Sequence, residues 1–391
     1  MRVLHVIPYF APAFSYGGPV VSTLSLCKAL LRIGVNVEVF TTTANGASDL
    51  PASMESADVY EGVRVRYFPR AFPRQFFGAA GLAEMIPSVL DSYDLLHIHG
   101  LWNLPAWTAS QPARRVGLPY VISPRGMLEP GSMAHKSWRK RFAYLVMERE
   151  NLANAAFLHA TSAAEGQTLK SYGFDAEIVV LPNGVDVWEG APLSRGAFRR
   201  RRGVDENAKL IVFLGRIHPI KRLDILADAF GQIRKVVPNT RLVIAGPDEC
   251  GYRKALEPMF TRVSRAVHWI GEVGQADKWA LLKDADVLVM CSDSESFGMS
   301  VIEAMAAGIP VVVTQTCPWR EIETAGCGFW VAQESGEIAK AVGYILSHPA
   351  EAEVMSKRGR ALARINYDWD TIARNMADHY VAAIGARSRV A

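Results

Sequence analysis

Val287-Leu288-Val289-Met290, followed by Ser294-Glu295-Ser296-Phe297-Gly298-Met299-Ser300-Val301-Ile302-Glu303-Ala304-Met305-Ala306-Ala307-Gly308-Ile309-Pro310 and then Val311-Val312-Val313, is the stretch that decides the fold. A short, wholly apolar run reads as a strand buried on both faces, as in a parallel sheet. The loop after it runs into a helix at Gly298-Met299, and a second strand, 310–313, follows the Gly308-Ile309-Pro310 stop. Strand, helix and strand in that order make a parallel unit. Open sheets of such units bind ligands at the carboxyl ends of their strands.

Working outward, the pattern repeats along the chain. Val3 to Ile7, Val35 to Thr41, Leu95 to His99, Tyr120 to Ser123 and Ile178 to Leu181 read as strands of a first sheet. Leu210 to Leu214, Arg241 to Ala245, Val267 to Ile270, Val287 to Met290 and Pro310 to Val313 read as strands of a second. Helical stretches lie between them, including Val20 to Leu31, Trp138 to Leu152 and Leu223 to Val237, where Leu223, Leu226, Ala227 and Phe230 share one face. The expected fold class is therefore α/β, with two doubly wound, Rossmann-like domains facing one another. The turn Leu181-Pro182-Asn183-Gly184-Val185-Asp186 marks the boundary, giving domains 1–182 and 183–368. The last helix, from Trp369, fits either domain by pattern alone.

With 391 residues the chain is long enough for two cores, and a formal charge of +4 offers no strong basic field for nucleic acid. Cys27, Cys250, Cys291, Cys317 and Cys327 form no C-x-x-C pair and no zinc-ligand spacing, so reduced thiols and no metal are expected. The chain opens on a strand-like run rather than a signal peptide's regions, and no stretch approaches the 18 or so apolar residues of a membrane span. The expected location is cytoplasmic.

Two constellations carry chemistry. In the first, Gly298 lets the backbone approach a ligand, and the amides of Met299 and Ser300 stand at a helix N-terminus suited to an anion. Glu295 on the loop and Glu303 a turn into the helix can accept hydrogen bonds from sugar and ribose hydroxyls. The plainer reading is a solvated carboxylate pair offsetting the helix dipole. In the second, Leu214-Gly215-Arg216-Ile217-His218-Pro219-Ile220-Lys221-Arg222-Leu223-Asp224 is another strand-to-helix turn. Arg216 offers a fork and Lys221 a point charge for phosphate oxygens, against the plainer reading of a solvated basic turn. Cations for phosphates and carboxylates for hydroxyls in one sheet are what a nucleotide-sugar requires.

The first domain offers Tyr16-Gly17-Gly18-Pro19, a glycine loop opening a helix; His97-Ile98-His99-Gly100-Leu101-Trp102; and Ser123-Pro124-Arg125-Gly126-Met127, the last two at strand ends. Alternation sets His97 and His99 on one face. Asp284-Ala285-Asp286 resembles a D-x-D metal motif, but it precedes a strand and reads as a cap or turn. Asp368-Trp369-Asp370 reads as a helix N-cap, and Arg199-Arg200-Arg201-Arg202 as a solvated face. The helix of His135 to Leu152 places Trp138, Phe142, Leu145 and Val146 on one face and Lys136, Arg139 and Lys140 elsewhere. That is a packing face, or a peripheral contact with an anionic inner-membrane surface.

Taken in order, the Gly17-Gly18 loop, His97-Ile98-His99-Gly100, Pro182-Asn183-Gly184-Val185-Asp186, Gly215-Arg216 with Lys221, and the seven-residue spacing between Glu295 and Glu303 resemble the family-4 glycosyltransferases. The resemblance spans nearly the whole chain. It implies GT-B architecture, two Rossmann-like domains facing a deep cleft, with the final helix, 369–391, packing back on the first. It implies retention of configuration and no cofactor beyond the nucleotide-sugar co-substrate. By position it implies that Arg216 and Lys221 hold the donor diphosphate with help from the Gly17-Gly18 backbone. Glu295 then binds the transferred sugar with the amides of Phe297, Gly298, Met299 and Ser300, Glu303 binds the ribose, and Val273 offers backbone to the base. His99 faces the reacting sugar or acceptor. Arg125 stands where many members carry histidine, in a Ser-Pro-Arg-Gly-Met variant of a subset of bacterial members, and with Trp102 belongs to the acceptor or reacting centre. The implied partners are a nucleotide-sugar and a saccharide or lipid-linked saccharide of a bacterial surface polysaccharide. A nucleotide-sugar 2-epimerase shares the two-domain cleft, and a non-catalytic nucleotide-sugar-binding protein is the other alternative, against which Arg216, Lys221, Glu295 and Glu303 together argue. The epimerase would isomerise donor without acceptor, and the binding protein would show no turnover.

Overall fold

The computed structural model describes residues 1–51, 53–54, 59–134, 144–187, 194–248 and 250–387. The chain divides into two compact units, 1–184 together with 369–391, and 185–368.

In the first unit the strands are β1 (Arg2–Tyr9), β2 (Asn36–Thr42), β3 (Val59–Tyr60), β4 (Val63–Phe68), β5 (Leu95–His99), β6 (Tyr120–Ser123), β7 (Phe157–Ala160) and β8 (Glu177–Val180). They form an eight-stranded sheet in the order β8-β7-β6-β5-β1-β2-β4-β3. Every pairing is parallel except β3 with β4. The winding reverses between β1 and β5. Helix α1 (Gly18–Arg32) starts just beyond β1 with Pro19 in its first turn, where a missing N–H costs nothing. The C-terminal helix Trp369–Arg387 packs against α1 and seals one face of the sheet with Trp369, Ile372, Met376 and Tyr380. β4, β7 and the second unit's last strand were not legible in the sequence. β4 carries exposed arginines on alternate positions, as a strand near a sheet edge does, and the other two, Phe-Leu-His-Ala and Gly-Phe-Trp-Val, lack an unbroken aliphatic run.

The second unit holds β9 (Lys209–Leu214), β10 (Thr240–Ala245), β11 (Val267–Gly271), β12 (Val287–Met290), β13 (Val311–Thr314) and β14 (Gly328–Val331). Their order is β11-β10-β9-β12-β13-β14, all parallel, so the winding reverses between β9 and β12. The chain then has to leave both strands at the same edge on opposite courses, which opens a crevice at their carboxyl ends. Helix α2 (Ala197–Arg202) is seated on this unit by Asp284, whose buried carboxylate accepts from the backbone N–H of Gly196 at 2.5 Å, Phe198 at 2.9 Å and Arg199 at 3.1 Å. Asp284 is therefore a cap.

Arg199 corrects the expectation of a solvated arginine face. It is 5% exposed and donates to the carbonyls of Ala208 and Asp284 at 2.6 and 2.8 Å, while Arg200, Arg201 and Arg202 stay exposed. Seating the helix on Asp284 turns its third position inward. Of the helix expected at 138–152, positions 135–143 lie outside the described residues. Tyr144–Glu148 is a π-helical turn and Arg149–Ala153 an α-helical one, with Leu145 64% exposed and Leu152 buried. No helix among the described residues is long and apolar enough to cross a membrane. Cys27, Cys291, Cys317 and Cys327 are buried free thiols, and Cys250 is exposed.

A polar seam runs through the first unit's core. Parallel register sets His5 beside His97, and His99 beside Ser123. His159 Nε2 donates to Leu181 O at 2.9 Å, so its Nδ1 accepts from Ser123 Oγ at 2.7 Å. Ser123 then accepts from His97 Nε2 at 2.7 Å, and His97 Nδ1 from Tyr380 Oη at 2.5 Å. A second chain starts at Arg125, which donates from Nη2 to His99 Nδ1 at 3.0 Å, and His99 Nε2 donates to His5 Nδ1 at 2.9 Å. Each imidazole so wired is neutral. Burial accordingly pulls His5 down to about 3 and His159 to about 4, with Arg125 adding its charge.

These histidines stay neutral in the native state while the unfolded chain takes up protons below about pH 6.5, so stability falls as pH drops through the window from about 6.5 to 4. Glu165, whose carboxyl burial pushes up, acts with the opposite sign. Thermal unfolding from pH 8 to 4 should therefore show a shallower acid-side fall for His159→Gln than for wild type. Parallel curves would remove the seam from the account. Asp284→Ala should lose about 3 kcal/mol in urea unfolding, because three helix-terminal N–H groups lose their acceptor.

Candidate functional site

In the second unit, Arg216 and Lys221 follow β9, and Glu295 follows β12. These strands are direct neighbours, Ile211 pairing with Val287 and Val212 with Leu288. Register therefore carries both loops to the same end of the sheet, at the point where its winding reverses. Gly215 is held by its N–H on Ala245 O at 2.9 Å, and Gly246 passes so close that a Cβ there would lie 1.9 Å from Gly215 O. Only glycine permits that approach, and it fixes the path into Arg216.

Lys221 Nζ bonds Glu295 Oε1, with side chains 14% and 13% exposed. Ser292 Oγ donates to the same Oε1 at 2.9 Å. Glu303, in helix α3 (Met299–Ala307), is paired through its Oε1 with Lys278 Nζ at 2.6 Å, the two side chains 9% and 12% exposed. Lys278 lies in the helix Gln275–Asp284. Among the described residues neither glutamate gives its Oε2 a protein partner. Each carboxylate is thus held by a lysine through one oxygen, with the other left to accept hydroxyl protons. Removing one member of such a pair strands the other's charge, at a cost of about 3–5 kcal/mol.

Gly298 adopts φ +92°, and a Cβ there would meet Met290 Sδ and Trp319 Nε1, each at 3.1 Å. It opens α3, so the free N–H groups of that helix point to the same edge as Glu295. Phe297 and Ser300 are buried, while Met299 is half-buried. Val273 is half-buried in the turn after β11, which two strands separate from β12. Lys278, Ser292 and Trp319 escaped the sequence reading. A lysine on this helix carries no signal until Glu303 is set beside it.

In the first unit, Gly17 and Gly18 lead into α1 after β1, as expected of a glycine loop opening a helix. His99 differs from the expectation that it faces a substrate: it is 1% exposed, with both ring nitrogens bonded, to His5 and to Arg125. Alternation sets it on one face with His97, and Arg125, bonded to Ser22 and Thr23 of α1, abuts it there. Arg125 adopts a left-handed backbone at φ +54° and donates to Ser22 Oγ, Thr23 Oγ1 and His99, at 2.9, 2.9 and 3.0 Å. Glu165 fixes the turn by accepting from Gly126 N at 2.6 Å. No carboxylate among the described residues pairs with Arg125. Trp102, half-buried and left-handed at φ +58°, donates its backbone N–H to Glu148 Oε1 at 2.7 Å.

His5, His97 and His99 bring ligand atoms within 4.8 Å of one another. Both His97 nitrogens are taken by Ser123 and Tyr380, and the Arg125 cation abuts His99, so a dication would meet repulsion and few lone pairs. Asp284, spent on backbone N–H groups, leaves no D-x-D site either.

Residues 17–184 match the family described as Glycosyl transferase 4-like domain, and residues 194–362 match Glycosyl transferases group 1. A D-inositol 3-phosphate glycosyltransferase of Streptomyces griseus is 30% identical over 437 aligned positions, covering 100% of this chain and 89% of the relative. Among solved structures, HepE of Anabaena in complex with UDP-glucose superimposes with TM-score 0.77 at 21% identity, covering 98% of this chain and 100% of that one. Sucrose-phosphate synthase of Thermosynechococcus elongatus does so with TM-score 0.77 at 20% identity, covering 98% and 99%. With two Rossmann-like units of GT-B type and both family matches in sequence order, the chain belongs to the glycosyltransferases, a 4-like domain followed by a group 1 domain.

Proposed function

We propose that the protein moves a hexosyl group from a nucleotide-diphosphate sugar, UDP- or GDP-linked, to a saccharide or lipid-linked saccharide of a bacterial surface polysaccharide, with retention and without a metal. The observation that carries this is the pair of lysine-held glutamates at the β9/β12 reversal, each offering one carboxylate oxygen to hydroxyls beside Arg216. HepE, bound to UDP-glucose in its structure, shares the fold and supports a nucleotide-sugar donor.

In this reading the nucleotide lies along the second unit's sheet edge. Glu303, paired with Lys278, takes the ribose hydroxyls, and the backbone at Val273 meets the base. Lys221 and Arg216 neutralise the charge that grows on the diphosphate as the sugar–oxygen bond breaks, the work a metal does elsewhere. Glu295 and the amides of Phe297 to Ser300 hold the transferred sugar. The acceptor hydroxyl attacks from the face the diphosphate leaves. Its oxygen bonds to the anomeric carbon as the bond to phosphate breaks, and its proton passes to the departing phosphate oxygen. No enzyme nucleophile is required. On the first unit, Arg125 meets an anionic group of donor or acceptor, the Gly17-Gly18 backbone assists the diphosphate, and Trp102 lies on the acceptor side. His99 acts by holding Arg125. A membrane contact brings a lipid-linked acceptor within reach.

Purified Glu303→Ala and Lys221→Ala should stay folded by circular dichroism and lose turnover by about a hundredfold or more. Wild-type rates in either would remove the site assignment. Thermal shift with UDP-, GDP- and ADP-sugars should raise the unfolding midpoint with one nucleotide alone, and the rate with that donor should be indifferent to EDTA. Isomerised donor in the absence of acceptor would replace transfer with epimerisation.

A further inference from the structure

The loop 292–298, which carries Glu295, is pinned at both ends by the next loop of the sheet. Thr316 Oγ1 donates to Ser292 O at 2.5 Å, and the Trp319 indole N–H donates to Phe297 O. Trp319 is 1% exposed and wedged between Phe297 and Tyr367, with ring centroids 5.1 and 5.6 Å away. Its own loop is tied down in turn, since Trp330 Nε1 donates to Cys317 O at 3.1 Å.

A trans peptide is planar, with its C=O and N–H pointing opposite ways. Holding the Phe297 carbonyl on the indole therefore aims the Gly298 N–H away from the core, and among the described residues that N–H has no protein acceptor. At the loop's other end, the Ser292 carbonyl held by Thr316 belongs to the residue whose hydroxyl anchors Glu295 Oε1. Both groups that would meet the transferred sugar are oriented from the 314–319 loop.

We propose that Trp319, aided by Thr316, is a positioning residue for recognition of the transferred sugar: it sets the Gly298 amide and the Glu295 carboxylate without touching the substrate. The inference rests on the reading of Glu295 as the sugar-binding carboxylate. It predicts a division between the two halves of the donor. Losing the indole N–H disorients the groups that face the sugar and leaves the nucleotide's contacts at Glu303 and Val273 in place.

The test is titration calorimetry of wild type, Trp319→Phe, Thr316→Val and Glu295→Gln with UDP, UDP-glucose, GDP and GDP-mannose, using the nucleotide and nucleotide-sugar pair that wild type binds. Trp319→Phe keeps an aromatic ring between Phe297 and Tyr367 and removes the indole N–H with the pyrrole ring, so the nucleotide-sugar should bind about tenfold more weakly and the bare nucleotide within about twofold of wild type. Thr316→Val should shift the same ratio and stands in if Trp319→Phe fails to fold. Equal weakening of both ligands, or of neither, in these variants would overturn the positioning role, provided Glu295→Gln shifts the ratio. A ratio unmoved in Glu295→Gln, or no binding of any probe by wild type, would instead overturn the reading beneath it.

Discussion

The pairing of Lys221 with Glu295 is the interaction around which the second unit's sheet edge is organised. Two opposite charges, both largely out of water, are tolerable only because each satisfies the other and Ser292 adds a hydrogen bond. The pair is possible only because β9 and β12 are neighbours although three βα connections separate them in sequence. Winding outward from β9 in one direction and returning to its other side places the residue after each strand at one edge. The same reversal brings the N-terminus of α3 to that edge. Chemistry suited to a diphosphate and to hydroxyls thus arises from topology first and from side chains second.

The first unit solves a different problem. Arg125 enters its site from a left-handed backbone and bonds only neutral groups, Ser22, Thr23 and His99. A cation so placed is tolerable if its neighbours stay uncharged, and the histidine seam does that by wiring each imidazole into a fixed tautomer. The seam also ties the C-terminal helix to the sheet through Tyr380 and His97. No carboxylate among the described residues pairs with this buried guanidinium.

The alternation of apolar runs and amphipathic helices determined the two α/β sheets, because a strand buried on both faces cannot be written any other way. Leu95–His99, Tyr120–Ser123 and Val287–Met290 coincide with their observed bounds. Glu295, Arg216 and Lys221 were legible as candidates because they follow strand ends, and Glu303 because it lies a turn into the helix that comes next, where local pattern is enough. What the tertiary structure alone decided were the partners: Lys278 on Glu303, Trp319 on Phe297, Asp284 under Arg199, and the burial of His99. Each joins residues from separate βα units, and sequence spacing carries no record of which loops a parallel sheet will bring side by side. Pattern gave His99 its face but could not tell whether that face looked to solvent or under a helix. That depended on Arg125, bonded to Ser22 and Thr23 of α1, packing beside it.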